Sequence, residues 1–230
     1  MKEKGRYRHE LKYDINQFQY MQLKNRLQVI MKPDRNSQLQ GFYKVQSIYF
    51  DNIYDKAVKE KVNGISKREK FRIRYYNDNF SYIVLEKKIK NNNLCKKLST
   101  RITEEECRNI LNGNISFMAT HKEELVREFY RKMTYEILRP RVLVSYYREA
   151  FIFSAGNVRV TFDYQIRTSL FDNRFLESDM TAISATEASD TMILEIKYDD
   201  FLPEIIANSL QVEGIRQQAF SKYVAARRFG

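Results

Sequence analysis

Acidic and cationic residues recur two positions apart in three segments that alternate in the manner of β-strands. The segments are Glu10-Leu11-Lys12, Glu86-Lys87-Lys88 and Glu195-Ile196-Lys197. Because residues i and i+2 of a strand point to the same face, each segment places a carboxylate beside a cation on one side of a sheet. Arg72-Ile73-Arg74 and Arg159-Val160-Thr161 repeat the alternation of charge with apolar residues. The pattern predicts a sheet with one face that is built for a polyanion.

Phosphate groups are the anions that this arrangement suits best. Two cations about 7 Å apart repel by roughly 2 kcal/mol at an effective dielectric near 20, so a bound anion would offset the strain. Arg72 and Arg74 can each fork onto phosphate oxygens, and lysines bind them as point charges. Among such cations Glu195 is the candidate ligand of a divalent metal that bridges phosphate oxygens, because Mg²⁺ and Mn²⁺ prefer oxygen ligands. We expect Arg72→Ala and Lys222→Ala to leave the fold as stable or more stable, since each removes a repelling cation.

Familiar nucleotide-binding and catalytic motifs are absent from the sequence. It contains no GxxxxGK[ST] or GxGxxG motif, and its two histidines, His9 and His121, belong to no evident Ser/His/Asp set. Cys95 and Cys107 stand apart without a CxxC motif, which supports neither a zinc site nor a disulfide framework. Phosphoryl transfer needs no protein nucleophile, because positioning and charge neutralisation supply most of its catalysis.

Composition bounds the class of protein. The 230 residues carry a formal net charge of +11, which favours an anionic partner without choosing among nucleic acid, phosphates and an acidic membrane face. Three prolines, seven glycines and no linker-like tract predict a single domain over residues 1–230. No stretch approaches the ~20 apolar residues of a membrane span, and no signal peptide is evident, so we predict a cytoplasmic protein.

Periodicity predicts eight strands and several helices. Asn16 caps a helix to about Met31, residues 103–106 form a capping box, and two C-terminal helices span 201–211 and about 215–229. Residues 170–190 are expected to form a loop. The strands fall at 6–14, 44–51, 68–76, 82–90, 96–102, 141–153, 158–167 and 191–198. This order fits an α+β fold, an eight-stranded antiparallel β tunnel barrel with helices packed outside, in which closure removes the sheet edges.

Nine blocks of sequence, in order, carry a resemblance to a known family. They are Arg8-His9-Glu10-Leu11-Lys12-Tyr13, Ser47-Ile48-Tyr49-Phe50-Asp51, Phe71-Arg72-Ile73-Arg74-Tyr75, Leu85-Glu86-Lys87-Lys88, Arg139-Pro140-Arg141, Tyr146-Tyr147-Arg148-Glu149-Ala150, Arg159-Val160-Thr161-Phe162-Asp163, Leu194-Glu195-Ile196-Lys197-Tyr198 and Ser221-Lys222-Tyr223. Together they resemble the VTC domain, the polyphosphate polymerase domain of the vacuolar transporter chaperone family, in its stand-alone bacterial form. That family belongs to the triphosphate tunnel metalloenzymes of the CYTH-like superfamily.

The resemblance implies an activity and a set of site residues. The activity is that of an ATP-dependent polyphosphate polymerase, a phosphotransferase that adds the γ-phosphate of ATP to a growing chain in the tunnel with Mn²⁺ or Mg²⁺. Glu195 would be the metal ligand and, with Arg72, Arg74 and Lys222, would form the catalytic group. The implied phosphate-binding residues are Lys12, Arg72, Arg74, Lys88, Lys97, Arg148, Arg159, Lys197, Ser221, Lys222 and Tyr223. Arg148 shares the phase of Val142 and Val144, which disagrees with an inward direction unless a bulge shifts the register.

Other functions stay open from the sequence. The same residues would serve a metal-dependent inorganic or nucleoside triphosphatase, or a non-catalytic domain that binds polyphosphate or inositol phosphates. RNA binding ranks last, and no nucleic acid is expected as a partner, because the aromatic residues mostly take the opposite phase from the charges. The expected partners are ATP and polyphosphate or triphosphate, and a separate membrane partner is left open. Glu10 and Glu86 either bind metal or orient Lys12 and Lys88, and we favour the second.

Overall fold

Eight antiparallel strands close into a barrel in the computed structural model, which describes residues 6–37, 41–170, 173–176, 183–184 and 191–229. The pairing order is β6-β2-β3-β4-β5-β1-β8-β7, and β7 pairs back onto β6. The strands are β1 (Arg8–Ile15), β2 (Tyr43–Asp51), β3 (Lys67–Tyr76), β4 (Asn79–Asn91), β5 (Leu94–Ile102), β6 (Arg139–Phe153), β7 (Val158–Leu170) and β8 (Met192–Tyr198). The predicted eight-stranded barrel is confirmed.

Six helices among the described residues pack against the barrel. They are α1 (Gln17–Ile30), α2 (Lys56–Val62), α3 (Glu104–Leu111), α4 (Glu124–Tyr135), α5 (Glu204–Ser209) and α6 (Lys222–Phe229). The predicted caps are present: Asn16 forms a capping box with Gln19 at the start of α1, and Thr103 forms one with Glu106 at the start of α3. In the described ranges, no helix combines the length and the apolar character that crossing a membrane requires.

The last predicted helix is shorter than expected. Its prediction from about residue 215 was wrong, because Arg216–Gln217 form a short strand that pairs with Tyr13 and Asp14 of β1. The reason is the local shape of the barrel wall. β1 pairs with β5 only at its first two residues, which leaves the rest of that edge open. The chain before α6 satisfies this edge instead of continuing a helix.

The two faces of the wall differ, as strand alternation requires. In β3, Phe71 and Ile73 are buried on the outside, whereas Arg72 and Arg74 line the lumen. One outer apolar core packs α3 and α4 over β2 to β5, and a second packs α1 and α5 over β1, β7 and β8. These cores hold the wall from outside, so the inner face is free to carry charge.

A third apolar cluster lies on the inward phase of the strands. It contains Val142 and Val144 of β6, on which Tyr223 and Ala226 of α6 pack. The expectation that the Val142 phase faces outward was wrong, because α6 supplies an apolar partner for it inside the wall. Arg148 shares this inward phase and lines the lumen. A bulge does occur in β6, at Arg141, but it precedes Val142 and leaves the phase from Val142 to Arg148 unchanged. Another lies in β7 near Gln165, whose φ is 48°.

The predicted 170–190 loop lies mostly outside the described residues. Of its described parts, Asn173–Leu176 form a short 3₁₀ turn and Ile183–Ser184 pair with β7. Phe175 and Leu176 are buried, and the Tyr75 hydroxyl donates to the Phe175 carbonyl at 2.6 Å. This turn therefore belongs to the outer core that covers β2 to β5.

Candidate functional site in the barrel lumen

A single cavity of about 1430 Å³ collects the charged face of the barrel. All eight strands, α2, α6 and the segment before α6 contribute to its lining. Every site residue predicted from the sequence lines it, namely Lys12, Arg72, Arg74, Lys88, Lys97, Arg148, Arg159, Glu195, Lys197, Ser221, Lys222 and Tyr223. Residues that lie far apart in the sequence are thus brought around one space.

Glu86 organises the arginines of β3. The β3–β4 register places Arg72 directly opposite Glu86, and the Arg72 Nε and Nη2 atoms lie 2.7 and 2.6 Å from Glu86 Oε2. Lys97 donates to Oε1 at 2.8 Å, and Arg74 Nη1 lies 3.9 Å from Oε2. Burial would raise the pKa of Glu86, but Arg72, Arg74 and Lys97 hold it well below its usual range. This ionised carboxylate fixes the direction of the Arg72 guanidinium.

Hydroxyl groups also accept hydrogen bonds from Arg72 and Arg74 and hold their guanidinium groups in place. Arg74 donates to Ser47 Oγ at 2.8 Å and to the Tyr146 hydroxyl at 3.0 Å, and Arg72 donates to the Tyr49 hydroxyl at 3.1 Å. Burial would raise the pKa of Tyr49, but Arg72, Lys70 and Arg74 lower it to about 7. The three cations thus surround the Tyr49 hydroxyl with positive charge.

Asp163 ties β6 and α6 together. Arg148 donates to both Asp163 oxygens, at 2.6 and 2.7 Å, and the Lys222 ammonium donates to Oδ2. Burial would raise the pKa of Asp163, but Arg148 and Lys222 lower it to about 2. Both cations also lie over the Tyr146 ring, at 5.3 and 4.7 Å from its centroid. The carboxylate therefore presents two cations to the lumen as one unit.

Glu10 and Glu195 hold the lysines on the opposite wall. The β1–β8 register places Lys12 opposite Glu195 and Glu10 opposite Lys197. Lys12 Nζ lies 3.3 Å from an oxygen of each carboxylate, and Lys88 Nζ lies 2.6 Å from Glu10. Burial lowers the pKa of Lys197 to about 8, although Glu195 and Glu10 oppose that shift.

The interpretation of Glu10 and Glu86 as partners of Lys12 and Lys88 holds only in part. Glu10 contacts both of these lysines. Glu86 instead contacts Arg72 and Lys97. The reason is the geometry of the wall, because Lys88 reaches Glu10 and the cross-strand partner of Glu86 is Arg72.

Metal-binding capacity centres on Glu195. Across the part of the chain that the structure describes, no group of three or more His, Cys, Asp or Glu is placed to hold a metal ion. Glu195 Oε1 is buried beside Lys197 without a well-formed hydrogen bond. Mg²⁺ commonly binds through one or two carboxylates together with substrate phosphates, rather than in an all-protein cage. The residues therefore fit a divalent metal that shares its coordination with a phosphate ligand.

Three predicted residues lie at the margins of this charged centre. Arg159 donates to the Tyr43 hydroxyl at 2.9 Å and pairs with Asp34 at 2.8 Å. Ser221 precedes α6, and its Oγ accepts from the Val224 amide at 3.5 Å. The Tyr223 ring stacks on Tyr49, and its hydroxyl donates to Asp51 at 2.7 Å, so a phosphate would have to displace that contact.

The sequence-based list omitted several lining residues. Lys70 shares the inward phase of Arg72, a signal that was present in the alternation, whereas Lys61 reaches the cavity from α2 and no strand pattern could find it. Tyr49 and Tyr146 sit on inward faces that carry little charge, so they gave no signal. The lumen is therefore more aromatic than the predicted site residues indicate, and Lys70 of β3 adds to the predicted cations.

The fold and the site together define a closed antiparallel β-barrel with a cationic lumen. More specifically, residues 7–229 match the family model described as the VTC domain, so the chain belongs to that family. The fold is similar to that of a Bacillus halodurans protein whose assignment as an adenylate cyclase is provisional, with a TM-score of 0.51 and 13% identity over 84% of this chain and 81% of that chain. The Pyrococcus horikoshii protein PH1819 is similar with a TM-score of 0.49 and 12% identity, over 97% of this chain and 100% of that chain. Among curated proteins, no sequence matches significantly.

Proposed function

We propose that this protein is a metal-dependent phosphotransferase that adds the γ-phosphate of ATP to a polyphosphate chain. The observation that carries the proposal is the convergence of cations from several strands and α6 on one lumen of a VTC-family barrel. Four carboxylates, Glu10, Glu86, Asp163 and Glu195, share the eight cations Lys12, Arg72, Arg74, Lys88, Lys97, Arg148, Lys197 and Lys222. The formal surplus of four positive charges suits a triphosphate.

The cations can act on the transferred phosphoryl group without a protein nucleophile. Phosphoryl transfer passes through a loose transition state whose charge is spread over oxygens, so fixed donors stabilise it directly. Arg72 and Arg74 are held in place by Glu86 and by hydroxyls, and Lys222 is held by Asp163. These groups need no reorganisation when charge develops, which is the basis of their proposed catalytic role.

Glu195 would hold a divalent metal, which would supply positive charge to offset that of the phosphate oxygens. Lys12 and Lys197 already lie against this carboxylate, so they would orient the same phosphate oxygens. We propose Mn²⁺ or Mg²⁺ as the metal. The remaining phosphates would be bound by Lys88, Lys97, Arg148 and Arg159. We also propose that residues 1–230 form a single domain. The predicted cytoplasmic location remains a prediction.

Incubation of the purified protein with ATP and Mn²⁺ or Mg²⁺ tests the proposal through its products. Long-chain polyphosphate supports the polymerase, whereas stoichiometric orthophosphate alone would indicate a triphosphatase. Retained binding of triphosphate without turnover in either metal would indicate a binding domain. Glu195→Gln should remove metal-dependent turnover, because the metal loses its carboxylate charge. Arg108→Gln is the matched control, since this arginine pairs with Glu104 on the exposed face of α3.

A further inference from the structure

Four large apolar side chains are exposed together at one end of the barrel. Ile53 and Tyr54 lie in the turn that follows β2, with exposed fractions of 60 and 70%. Tyr135 and Ile137 lie where α4 ends and are 81 and 48% exposed. We call these four residues the end patch. Grouped apolar side chains on a protein surface mark a site that contacts a partner, whereas single ones need no explanation.

Strand pairing and an ion pair bring the two halves of the end patch side by side. β2 ends and β6 begins at one rung, on which Asp51 lies opposite Arg139. The turn after β2 and the turn before β6 therefore both lie at this end of the barrel. Lys56 opens α2 directly after the first turn, and its Nζ lies 2.8 Å from Glu136 Oε2 in the second turn. The four apolar side chains thus belong to one surface.

Ile137 carries a backbone cost that its packing does not explain. Its φ is 54°, in the left-handed region that glycine adopts freely and β-branched residues rarely adopt. α2 and α3 end with glycine at the equivalent position, Gly64 with a φ of 69° and Gly113 with a φ of 83°. α4 ends instead with an isoleucine that is about half exposed and belongs to none of the apolar clusters described above. A contact with something outside the chain would account for an isoleucine here.

Cations without carboxylate partners border the end patch. Arg139 is exposed, and its guanidinium donates to two main-chain carbonyls near the end of α4, at 3.0 and 2.8 Å. Lys59 is exposed on α2, one turn beyond Lys56. Among the residues that the structure describes, neither cation meets a carboxylate, whereas the acids of the two turns, Asp55 and Glu136, already pair with other cations. The end patch is therefore apolar and aromatic with a positive border.

We propose that the end patch docks on the surface of an anionic phospholipid bilayer. The isoleucines would enter the acyl region, and tyrosine suits the boundary between acyl chains and headgroups because its ring is apolar and its hydroxyl polar. Lys59 and Arg139 would attract the anionic headgroups. A protein partner would need carboxylates placed opposite these two cations and an apolar pocket for each turn. A bilayer supplies both without a shaped surface, so it is the occupant that fits the end patch best.

This docking surface goes beyond the proposed function and does not depend on it. None of the four residues of the end patch lines the lumen, and neither do Lys59 and Arg139. Docking would therefore leave the lumen free to bind its own ligand. It also gives a role to positive charge that the lumen leaves unassigned.

Co-sedimentation of the 230-residue chain with phospholipid vesicles tests the inference. We expect binding at low salt to be at least about 10-fold tighter to vesicles with about one third phosphatidylserine than to phosphatidylcholine alone, because anionic headgroups attract the border cations. Tyr54→Ser/Ile137→Gly should weaken binding to the anionic vesicles by about 10-fold, since it removes one inserted side chain from each turn. Phe18→Ser/Val29→Ser removes exposed apolar side chains from α1 and is the matched control, which should bind like the wild type.

Thermal unfolding separates a role in docking from a role in the fold. Ile137→Gly alone should leave the melting temperature unchanged or higher, because glycine relieves the left-handed strain, and should still weaken vesicle binding. A lower melting temperature would show that the fold itself needs the isoleucine, and would overturn the argument from strain.

Three other results would overturn the docking surface. A wild type that binds neither kind of vesicle would leave a protein partner as the occupant of the end patch. Self-association of the wild type in sedimentation velocity, abolished by Tyr54→Ser/Ile137→Gly, would assign the end patch to a second copy of this chain. Equal vesicle binding by the wild type and this variant would show adsorption through net charge alone. Each of these results leaves the proposed function standing, because the ATP assay reports on the lumen.

Discussion

Neighbouring inward residues of β3 should respond in opposite directions when their charge is removed. Arg72→Met and Lys70→Met each keep an aliphatic stem and delete one cation. Arg72 contacts buried Glu86 through two nitrogens, whereas Lys70 has no carboxylate partner among the described residues. The sequence alone predicts that Arg72→Ala and Lys222→Ala leave the fold as stable or more stable, because each removes a repelling cation. The structure reverses that expectation for both residues, since Arg72 pairs with buried Glu86 and Lys222 with buried Asp163. Relief of repulsion is expected at Lys70 instead.

The magnitude for Arg72→Met follows from the contacts of Glu86. Removing one partner of a buried ion pair costs about 3–5 kcal/mol, because the other charge stays buried. Lys97 Nζ remains 2.8 Å from Glu86, which reduces the cost to about 2–3 kcal/mol. For a chain of this size, each kcal/mol lowers the melting temperature by about 2–4 °C, so we expect a loss of about 4–12 °C. Lys70→Met should leave the melting temperature unchanged or raise it by a few degrees.

Thermal and urea unfolding, followed by circular dichroism at pH 7 and low salt, measure both variants. Low salt matters because added ions would screen the repulsion that Lys70→Met removes. Glu86→Gln tests the same ion pair from the carboxylate side. It should also destabilise the protein, because Arg72 then stays buried without its carboxylate. Arg72→Met with the stability of the wild type, or a loss for Lys70→Met as large as for Arg72→Met, would refute this account of the lumen.

Three further outcomes follow from the same contacts. The free energy of unfolding should rise between about pH 7 and 9. Lys70 and Lys197 have lowered pKa values, so the folded protein binds fewer protons in this range than the unfolded chain does. Urea unfolding across the range shows whether stability rises or falls. Lys222→Ala should abolish turnover yet lower the melting temperature less than Arg72→Met, since Arg148 still holds Asp163. Millimolar tripolyphosphate should raise the melting temperature of the wild type by linkage, and no shift would count against an anion-binding lumen.

The barrel wall was predictable because its signal is local. Alternation predicts all eight strands, and charge alternating with apolar residues indicates which side of strands such as β1, β3 and β8 faces the outer cores. The directions of the side chains in β6 and β7 were harder to predict from the sequence. Their inward phase includes Val142 and Val144, which look like outward residues until α6 packs on them. The bulge near Gln165 depends on strand pairing, and no local pattern reports it.

The sequence predicts which side chains line the site, but it does not predict which carboxylate pairs with which cation. Alternation and the family resemblance indicated which cations share a face. Which carboxylate meets which cation depends on register and reach, so Glu86 was assigned to Lys88 when its cross-strand partner is Arg72. Lys61 illustrates a different limit. It reaches the lumen from a short helix, and only the tertiary packing of α2 against β3 brings it there.

The distribution of carboxylates divides the lumen into two regions with different physical roles. Around Glu86, Asp163 and Glu195, each cation is fixed by a buried partner, which preserves geometry but makes an incoming phosphate compete with a carboxylate already present. Along Arg68 and Lys70 no described carboxylate pairs with the cations, so an anion bound there would relieve part of their repulsion. A polyphosphate chain would therefore gain much of its binding energy along Arg68 and Lys70. Its phosphates would be positioned most accurately around Glu86, Asp163 and Glu195. Such a division would let remote binding energy position the reacting phosphate, which is how interactions away from the reaction accelerate it.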